Sequence, residues 1–140
     1  MLLNKRSLKG QKTMAKNTKR RILVVDDEPD FLQSLQEFLE IFGFEVVTAG
    51  NYIHALARFA DSGPYFAIIS DYNLGEGKNG VDLITQIITY FGKEKFTLLI
   101  MMSGNDSELR ADLAAARVKV DKIFPKPFDV NELVNELNKT

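Results

Sequence analysis

The chain has no cysteine, no tryptophan and a single histidine, His54. Without cysteine it can form no disulfide, thiolate nucleophile or cysteine-based zinc site. Its longest uninterrupted apolar run is the five residues from Leu98 to Met102, whereas a transmembrane helix needs about 20. Neither the phosphate loop G-x-x-x-x-G-K-[ST] nor a G-x-G-x-x-G motif after the first strand is present. We therefore expect a cytoplasmic protein with no membrane span and no nucleotide site.

Acidic side chains are also missing from residues 1–21, which carry eight lysines and arginines. The other 119 residues have ten basic and 19 acidic side chains, a net charge of −9. We predict a disordered basic tail over residues 1–20, followed by one domain over residues 21–140. The tail is interpreted as a leader, since Met14 could also start the chain, or as an arm for nucleic acid or anionic lipid. No specific nucleic-acid binding is expected, because no recognition module accompanies the tail.

Short apolar runs alternate with amphipathic stretches from Arg21 onward. The runs predict strands at 22–25, 45–49, 66–70, 97–102 and 122–124, and the stretches predict helices at 30–42, after Asn51, at 81–91, 105–116 and from 129. In the second helix we expect Ile53, Leu56, Ala57 and Ala60 to face inward. Alternating strands and helices indicate an α/β fold, a doubly wound five-stranded parallel sheet of flavodoxin-like order 2-1-3-4-5 with five helices.

Ligands of such sheets bind beyond the carboxyl ends of the strands. The residues there are Asp26 and Asp27 after strand one, Asp71 after strand three, Ser103 after strand four and Lys126 after strand five. Three carboxylates and one ammonium leave a charge of −2, which a single divalent cation would neutralise. An all-oxygen donor set favours Mg²⁺. Beside such an ion, the isolated Asp71 is the best candidate for a nucleophile that forms an aspartyl phosphate.

Four segments of the chain resemble the receiver domain of two-component response regulators. They are Val24-Val25-Asp26-Asp27-Glu28-Pro29, Ile68-Ile69-Ser70-Asp71-Tyr72-Asn73-Leu74, Met102-Ser103-Gly104 and Lys126-Pro127-Phe128. Each motif is weak alone, but all four occur at the family's spacing. The resemblance covers about residues 20–138, and it is closest in organisation to single-domain, chemotaxis-regulator-like members.

The resemblance implies a phosphoryl acceptor and a metal site. Asp71 would accept the phosphoryl group from a phosphohistidine. Asp27 would be the direct Mg²⁺ ligand, Asp26 would act partly through water, and the backbone carbonyl of Asn73 would be a third protein ligand. Lys126 would pair with the phosphoryl oxygens.

The resemblance also implies a switch and a set of partners. Ser103 would hydrogen-bond a phosphoryl oxygen after Asp71 is modified, and the bond between Lys126 and Pro127 would be cis. The donor would be a sensor histidine kinase or a histidine phosphotransfer protein. A downstream protein would bind the face formed by the fourth helix, the fifth strand and the last helix. The protein is expected to act as a stand-alone regulator, either monomeric or a phosphorylation-dependent dimer.

The chain departs from the family at three places. Ile123 stands where an aromatic switch residue is frequent, and the adjacent Phe124 is expected to point to the opposite face of the sheet. Gly75 replaces a frequent proline. The loop from Asp71 to Gly80 is one residue longer than is common.

Two other functions remain open. One is a degenerate receiver that acts only as a protein-interaction module. The other is a Mg²⁺ phosphatase of the haloacid-dehalogenase type, which would need an acid where Asn73 stands and a cap domain. On the favoured interpretation the protein is not an enzyme beyond catalysing its own phosphorylation and dephosphorylation.

Overall fold

A computed structural model describes residues 18–139 of the chain, so most of the predicted tail lies outside the described residues. The strands are β1 (Arg21–Val25), β2 (Glu45–Ala49), β3 (Tyr65–Asp71), β4 (Phe96–Ser103) and β5 (Lys122–Pro125). The helices are α1 (Pro29–Ile41), α2 (Tyr52–Ser62), α3 (Gly80–Phe91), α4 (Asp106–Ala116) and α5 (Val130–Asn138), with a 3₁₀ turn at Lys93–Lys95. Among the described helices, none has both the length and the apolar character to cross a membrane.

All five strands are parallel and lie in the order β2-β1-β3-β4-β5, as predicted. The central strands are apolar on both faces because helices cover both sides of the sheet. Side chains of a strand alternate between the faces, so neighbouring residues such as Val24 and Val25 enter different cores. Helices α2, α3 and α4 cover one face, and α1 and α5 cover the other.

The same alternation separates Ile123 from Phe124 in β5. Ile123 packs on the core beneath α2, α3 and α4, whereas Phe124 belongs to the core beneath α1 and α5. The prediction that these two side chains point to opposite faces is confirmed.

The predicted inner face of α2 was wrong except at Leu56, which packs on the core. The helix buries Ala55 and Phe59, while Ala57 and Ala60 are exposed and Ile53 is 64% exposed. Phe59 packs on Tyr65 and Phe91, with ring centroids 5.3 and 5.1 Å away. Burying one phenylalanine among aromatic neighbours removes more apolar surface from water than burying the predicted stripe of small residues.

The two strands at the centre of the sheet send their helices to opposite faces. Helix α1 follows β1 on one side, and α3 follows β3 on the other. This change of side opens a crevice at the carboxyl ends of β1 and β3. Asp26 and Asp71 lie at this crevice.

Candidate functional site

The register of β1 and β3 brings Asp26 and Asp71 together. Val25 of β1 is paired with Ser70 of β3, so the next residue of each chain segment is an aspartate, Asp26 or Asp71. Carboxylate oxygens of Asp26, Asp27 and Asp71 all lie within 4.8 Å of one another. Asp26 is fully buried and Asp71 is 7% exposed, whereas Asp27 is exposed.

Asp26 is held by contacts to both of its carboxylate oxygens. Its Oδ1 accepts a hydrogen bond from the backbone N–H of Glu28 at 2.9 Å, and its Oδ2 accepts one from Nζ of Lys126 at 2.6 Å. Its own N–H donates to the carbonyl of Ala49 at the end of β2. A buried carboxylate needs such partners, and here they fix its orientation toward the crevice.

Lys126 follows the edge strand β5, and its side chain reaches this cluster. Its backbone N–H donates to the carbonyl of Ser103 at 2.9 Å, and its peptide bond to Pro127 is cis, as the resemblance implied. Besides Asp26, its Nζ lies 3.4 Å from Oδ2 of Asp71 and 3.8 Å from Oε1 of Glu28. Burial lowers the pKa of Lys126, but the hydrogen bond to Asp26 and the charge of Asp71 outweigh it and raise the pKa above its usual value.

Asp71 has an unusually high affinity for a proton. Burial raises the pKa of Asp71 from 3.8 to about 6, the nearby charge of Asp26 adds to the rise, and Lys126 opposes it. At neutral pH the carboxylate is therefore mainly ionised, but at a cost in free energy. A cation bound beside it would reduce that cost, and ionised Asp71 is the form that can act as a nucleophile.

Ser103 lies at the same carboxyl edge of the sheet, but its hydroxyl bonds the backbone of Asn105 and not Asp71. Its hydroxyl donates to the carbonyl of Asn105 and accepts from the N–H of Asn105, both at 2.9 Å. The side chain is 2% exposed. These bonds anchor the start of the β4–α4 loop. A bond from Ser103 to a modified Asp71, which the resemblance implies, stays a prediction.

The loop from Tyr72 to Asn79 joins β3 to α3. Tyr72 donates its N–H to Met102 of β4 at 2.8 Å and accepts at its carbonyl from Gly80 at 2.7 Å. A short antiparallel bridge pairs Asn73 with Asn79. Asn73 is exposed, and the role of its carbonyl as a metal ligand stays a prediction.

The same loop contains the spacing G-x-G-x-x-G at residues 75–80, directly before a helix. Such a loop can cradle phosphate at a helix N-terminus. Here Asn79 and Asp82 form a capping box, each side chain accepting the backbone N–H of the other. Because those N–H groups have partners and Asp82 adds negative charge, the motif does not indicate a phosphate cradle.

Two contacts of this region were missed in the sequence. The hydroxyl of Tyr72 donates to Oδ2 of Asp112 in α4. Nδ2 of Asn79 lies 3.4 Å from the same oxygen. A buried tyrosine needs a hydrogen-bond partner for its hydroxyl, so a contact of Tyr72 could have been expected. The local sequence does not indicate that the partner is a residue 40 positions away. The Asn79–Asp82 spacing could have indicated the start of α3.

The three-aspartate cluster fits a hard divalent cation. Every donor is a carboxylate oxygen, the oxygens converge, and one counter-cation, Lys126, leaves the group net negative. Oxygen ligands of this kind suit Mg²⁺. Among residues 18–139, Asp26, Asp27 and Asp71 form the one group of three acidic or histidine side chains close enough together to hold an ion.

Comparison with known proteins gives a consistent result. The response regulator receiver domain family matches residues 22–138. The two-component response regulator PprB of Pseudomonas aeruginosa is 30% identical over 118 residues, which cover 84% of this chain and 42% of that protein. The transcriptional regulatory protein PrrA of Mycobacterium tuberculosis is 33% identical over 117 residues, which cover 84% of this chain and 48% of that protein. The chain spans a little under half the length of these relatives.

Two solved structures agree with the sequence comparison. The chemotaxis response regulator CheY4 of Vibrio cholerae has a TM-score of 0.73 and 26% sequence identity, with 87% of this chain and 98% of that chain covered. A receiver domain protein from Clostridium thermocellum has a TM-score of 0.72 and 26% identity, with 86% and 92% covered. By fold, motif order and family match, the chain belongs to the response regulator receiver domains, the signalling modules of two-component systems.

Proposed function

We propose that this protein accepts a phosphoryl group on Asp71 from a phosphohistidine of a sensor kinase or a histidine phosphotransfer protein. One observation carries the proposal. The buried Asp71 carboxylate shares a crevice with Asp26, Asp27 and the Lys126 ammonium, whose Nζ lies 3.4 Å from it. A nucleophile, a cation site and a fixed positive charge are the parts that phosphoryl transfer needs.

In the proposed reaction a carboxylate oxygen of Asp71 attacks the phosphorus of phosphohistidine. A P–O bond forms while the P–N bond breaks, and the imidazole leaves with a proton from solvent. Lys126 is placed to face the oxygens of the transferring group, where its charge stabilises the transition state. Asp26 keeps Lys126 at the crevice through their 2.6 Å contact.

Receiver domains generally bind Mg²⁺ at an acidic pocket. In this chain Asp26, Asp27 and Asp71 would hold the ion, with the carbonyl of Asn73 as the further ligand that the resemblance implies. When bound, Mg²⁺ would offset the negative charge of the phosphoryl oxygens. The residues of the chain supply the rest, because the strand ends fix the nucleophile and the lysine before the donor arrives.

The proposed output is a change in a partner-binding surface. Phosphorylation of Asp71 adds charge beside Lys126 and close to the β4–α4 loop. Ser103 would exchange its bonds to Asn105 for a bond to the phosphoryl group. The surface formed by α4, β5 and α5 would then bind a downstream protein in one of the two states.

Two alternatives are outcomes of the same test. A degenerate interaction module would keep the fold without using the cluster, and the intact set of Asp26, Asp27, Asp71 and Lys126 argues against it. A Mg²⁺ phosphatase would turn over small phosphate esters. Such an enzyme needs a second acid two residues after the nucleophile, and Asn73 stands at that position.

The decisive experiment incubates the protein with acetyl phosphate and Mg²⁺ and measures its intact mass. We expect an adduct of about 80 Da, the mass of one phosphoryl group, that hydroxylamine removes as it does an acyl phosphate. The adduct should be absent from Asp71→Asn and retained by Asp61→Asn, a matched change at an exposed aspartate of α2.

The donor is tested next with an autophosphorylated histidine kinase. Transfer of labelled phosphate from the kinase to Asp71 supports the proposal. Repeated hydrolysis of unrelated phosphomonoesters would instead favour the phosphatase. No adduct from acetyl phosphate or from a panel of kinases would favour the interaction module and contradict the proposal.

A further inference from the structure

The Lys126 ammonium has an uncharged neighbour that neither the family motifs nor the reaction uses. Its Nζ lies 4.4 Å from the centroid of the Phe31 ring in α1. This distance is well within the range of about 6 Å over which a cation is attracted to an aromatic face. The lysine side chain is 21% exposed, so water screens the contact only in part.

Other aromatic residues hold the Phe31 ring in place. Phe31 meets Phe128 edge to face, with centroids 6.3 Å apart and planes at 82°. Phe128 in turn packs on Phe124, with centroids 5.1 Å apart, and Phe124 is 3% exposed. The ring is therefore fixed from the buried core beneath α1 and α5, independently of the acidic cluster.

The carboxylate partners of Lys126 must change during the proposed reaction. Its shortest contact is with Asp26, which is also one of the candidate cation ligands. A divalent cation on Asp26 competes with the ammonium for the same oxygens. The modified Asp71 would then need the lysine on its own side. Phe31 is not a ligand of the divalent cation and does not react with the phosphoryl group. Its ring can therefore stay in contact with Lys126 through both steps.

We propose that Phe31 is a positioning residue, whose ring keeps the Lys126 ammonium beside Asp71 while the carboxylate partners of the lysine exchange. The inference rests on the proposed phosphoryl transfer and adds to it a residue outside the family's motifs. It requires the electron-rich face of the ring, since an aliphatic side chain of similar size would fill the space without attracting a cation.

The first test compares three variants for the rate of phosphorylation by acetyl phosphate at saturating Mg²⁺. Phe31→Leu keeps an apolar side chain and should slow the reaction about fivefold, the effect expected of a partly desolvated cation–π contact. Phe31→Tyr keeps the aromatic face and should stay within about twofold of the wild type. Phe38→Leu is the matched control, because Phe38 is a partly buried phenylalanine of the same helix that packs on Phe42.

A double-mutant cycle separates positioning from general packing. If Phe31 acts through Lys126, Phe31→Leu should have no further effect on the rate in a Lys126→Ala background. An equal slowing in both backgrounds would overturn the inference. So would a wild-type rate for Phe31→Leu, and in both cases the phosphorylation itself would stand.

A second measurement does not depend on phosphorylation. A proton over an aromatic face has an upfield chemical shift, so the side-chain CH₂ protons of Lys126 nearest Nζ should resonate upfield in the wild type and lose that shift in Phe31→Leu. The shift should persist when Mg²⁺ is added. If it disappears with Mg²⁺, the inference is wrong. If the wild type accepts no phosphoryl group from any donor, the proposed function fails and this measurement alone decides whether Phe31 holds the lysine.

Discussion

Replacing Asp71 with asparagine should stabilise the metal-free protein at neutral and alkaline pH. Burial and Asp26 raise the pKa of Asp71 from 3.8 to about 6, and that value already includes the opposing attraction of Lys126. The folded protein therefore binds a proton at Asp71 more tightly than the unfolded chain does. Stability from this group is present below about pH 4 and is lost as the pH rises to about 6.

The size of the effect follows from the two pKa values. A difference of about two pH units corresponds to about 3 kcal/mol of unfolding free energy once Asp71 is ionised in both states. This is an upper figure, since the structure relaxes around a charge. Asparagine resembles the protonated acid in shape and charge, so the variant should avoid most of this loss. We expect a gain of about 1–3 kcal/mol at about pH 8.

The assay is urea unfolding in EDTA at about pH 8 and about pH 4.5, followed by circular dichroism. Asp71→Asn should exceed the wild type at the higher pH and approach it at the lower one. Other acids also titrate in this interval, so the decisive quantity is the difference between the two proteins at each pH. Asp61→Asn, at an exposed position, should leave that difference near zero. A variant no more stable than the wild type at about pH 8 would refute the reasoning.

Three further changes test other parts of the site. Gly80→Ala should lower the free energy of unfolding in urea by about 1–3 kcal/mol, since a Cβ there would lie 2.5 Å from the carbonyl oxygen of Asp71, the last residue of β3. Gly50→Ala, at a position with open space around it, should be close to neutral. Equal costs for the two variants would contradict this reasoning. Tyr72→Phe should cost about 1–3 kcal/mol because Asp112 loses a hydrogen bond, and Tyr90→Phe at a 70% exposed position is the control. Mg²⁺ at 100 times its dissociation constant should add about 2.7 kcal/mol to the wild type, an increase that EDTA reverses, and the absence of any increase would count against the metal site.

The fold was predictable because its signals are local. Continuous β-branched and apolar runs predict strands covered on both faces, and strands alternating with helices leave few parallel topologies. Strand order and the gathering of Asp26, Asp71 and Lys126 at one edge follow from that topology. The inner face of α2 was not predictable in the same way, because Ile53 is the more apolar choice and only the rings of Phe91 and Tyr65 decide that Phe59 is inside.

The site could be predicted as a set of residues but not as a set of contacts. Strand ends named the aspartates and the lysine, yet the present partner of Ser103 is the backbone of Asn105. The contact between Lys126 and Phe31 joins two distant parts of the chain whose meeting depends on how α1 packs beside α5. Side-chain contacts of this kind depend on rotamers and helix placement, which local patterns do not specify.

The geometry also links the loop after Asp71, from Tyr72 to Asn79, to α4 more directly than the motifs suggest. Asp112 of α4 accepts the hydroxyl of Tyr72, the residue after Asp71, and lies 3.4 Å from Asn79 at the other end of the loop. Both ends of the loop therefore depend on one carboxylate of the helix. If Asp71 is phosphorylated and the adjoining backbone shifts, the Asp112 side chain would either follow the loop or lose these bonds. Either result would alter the contacts of α4 with the loop, by a route that involves neither Ser103 nor an aromatic residue at position 123.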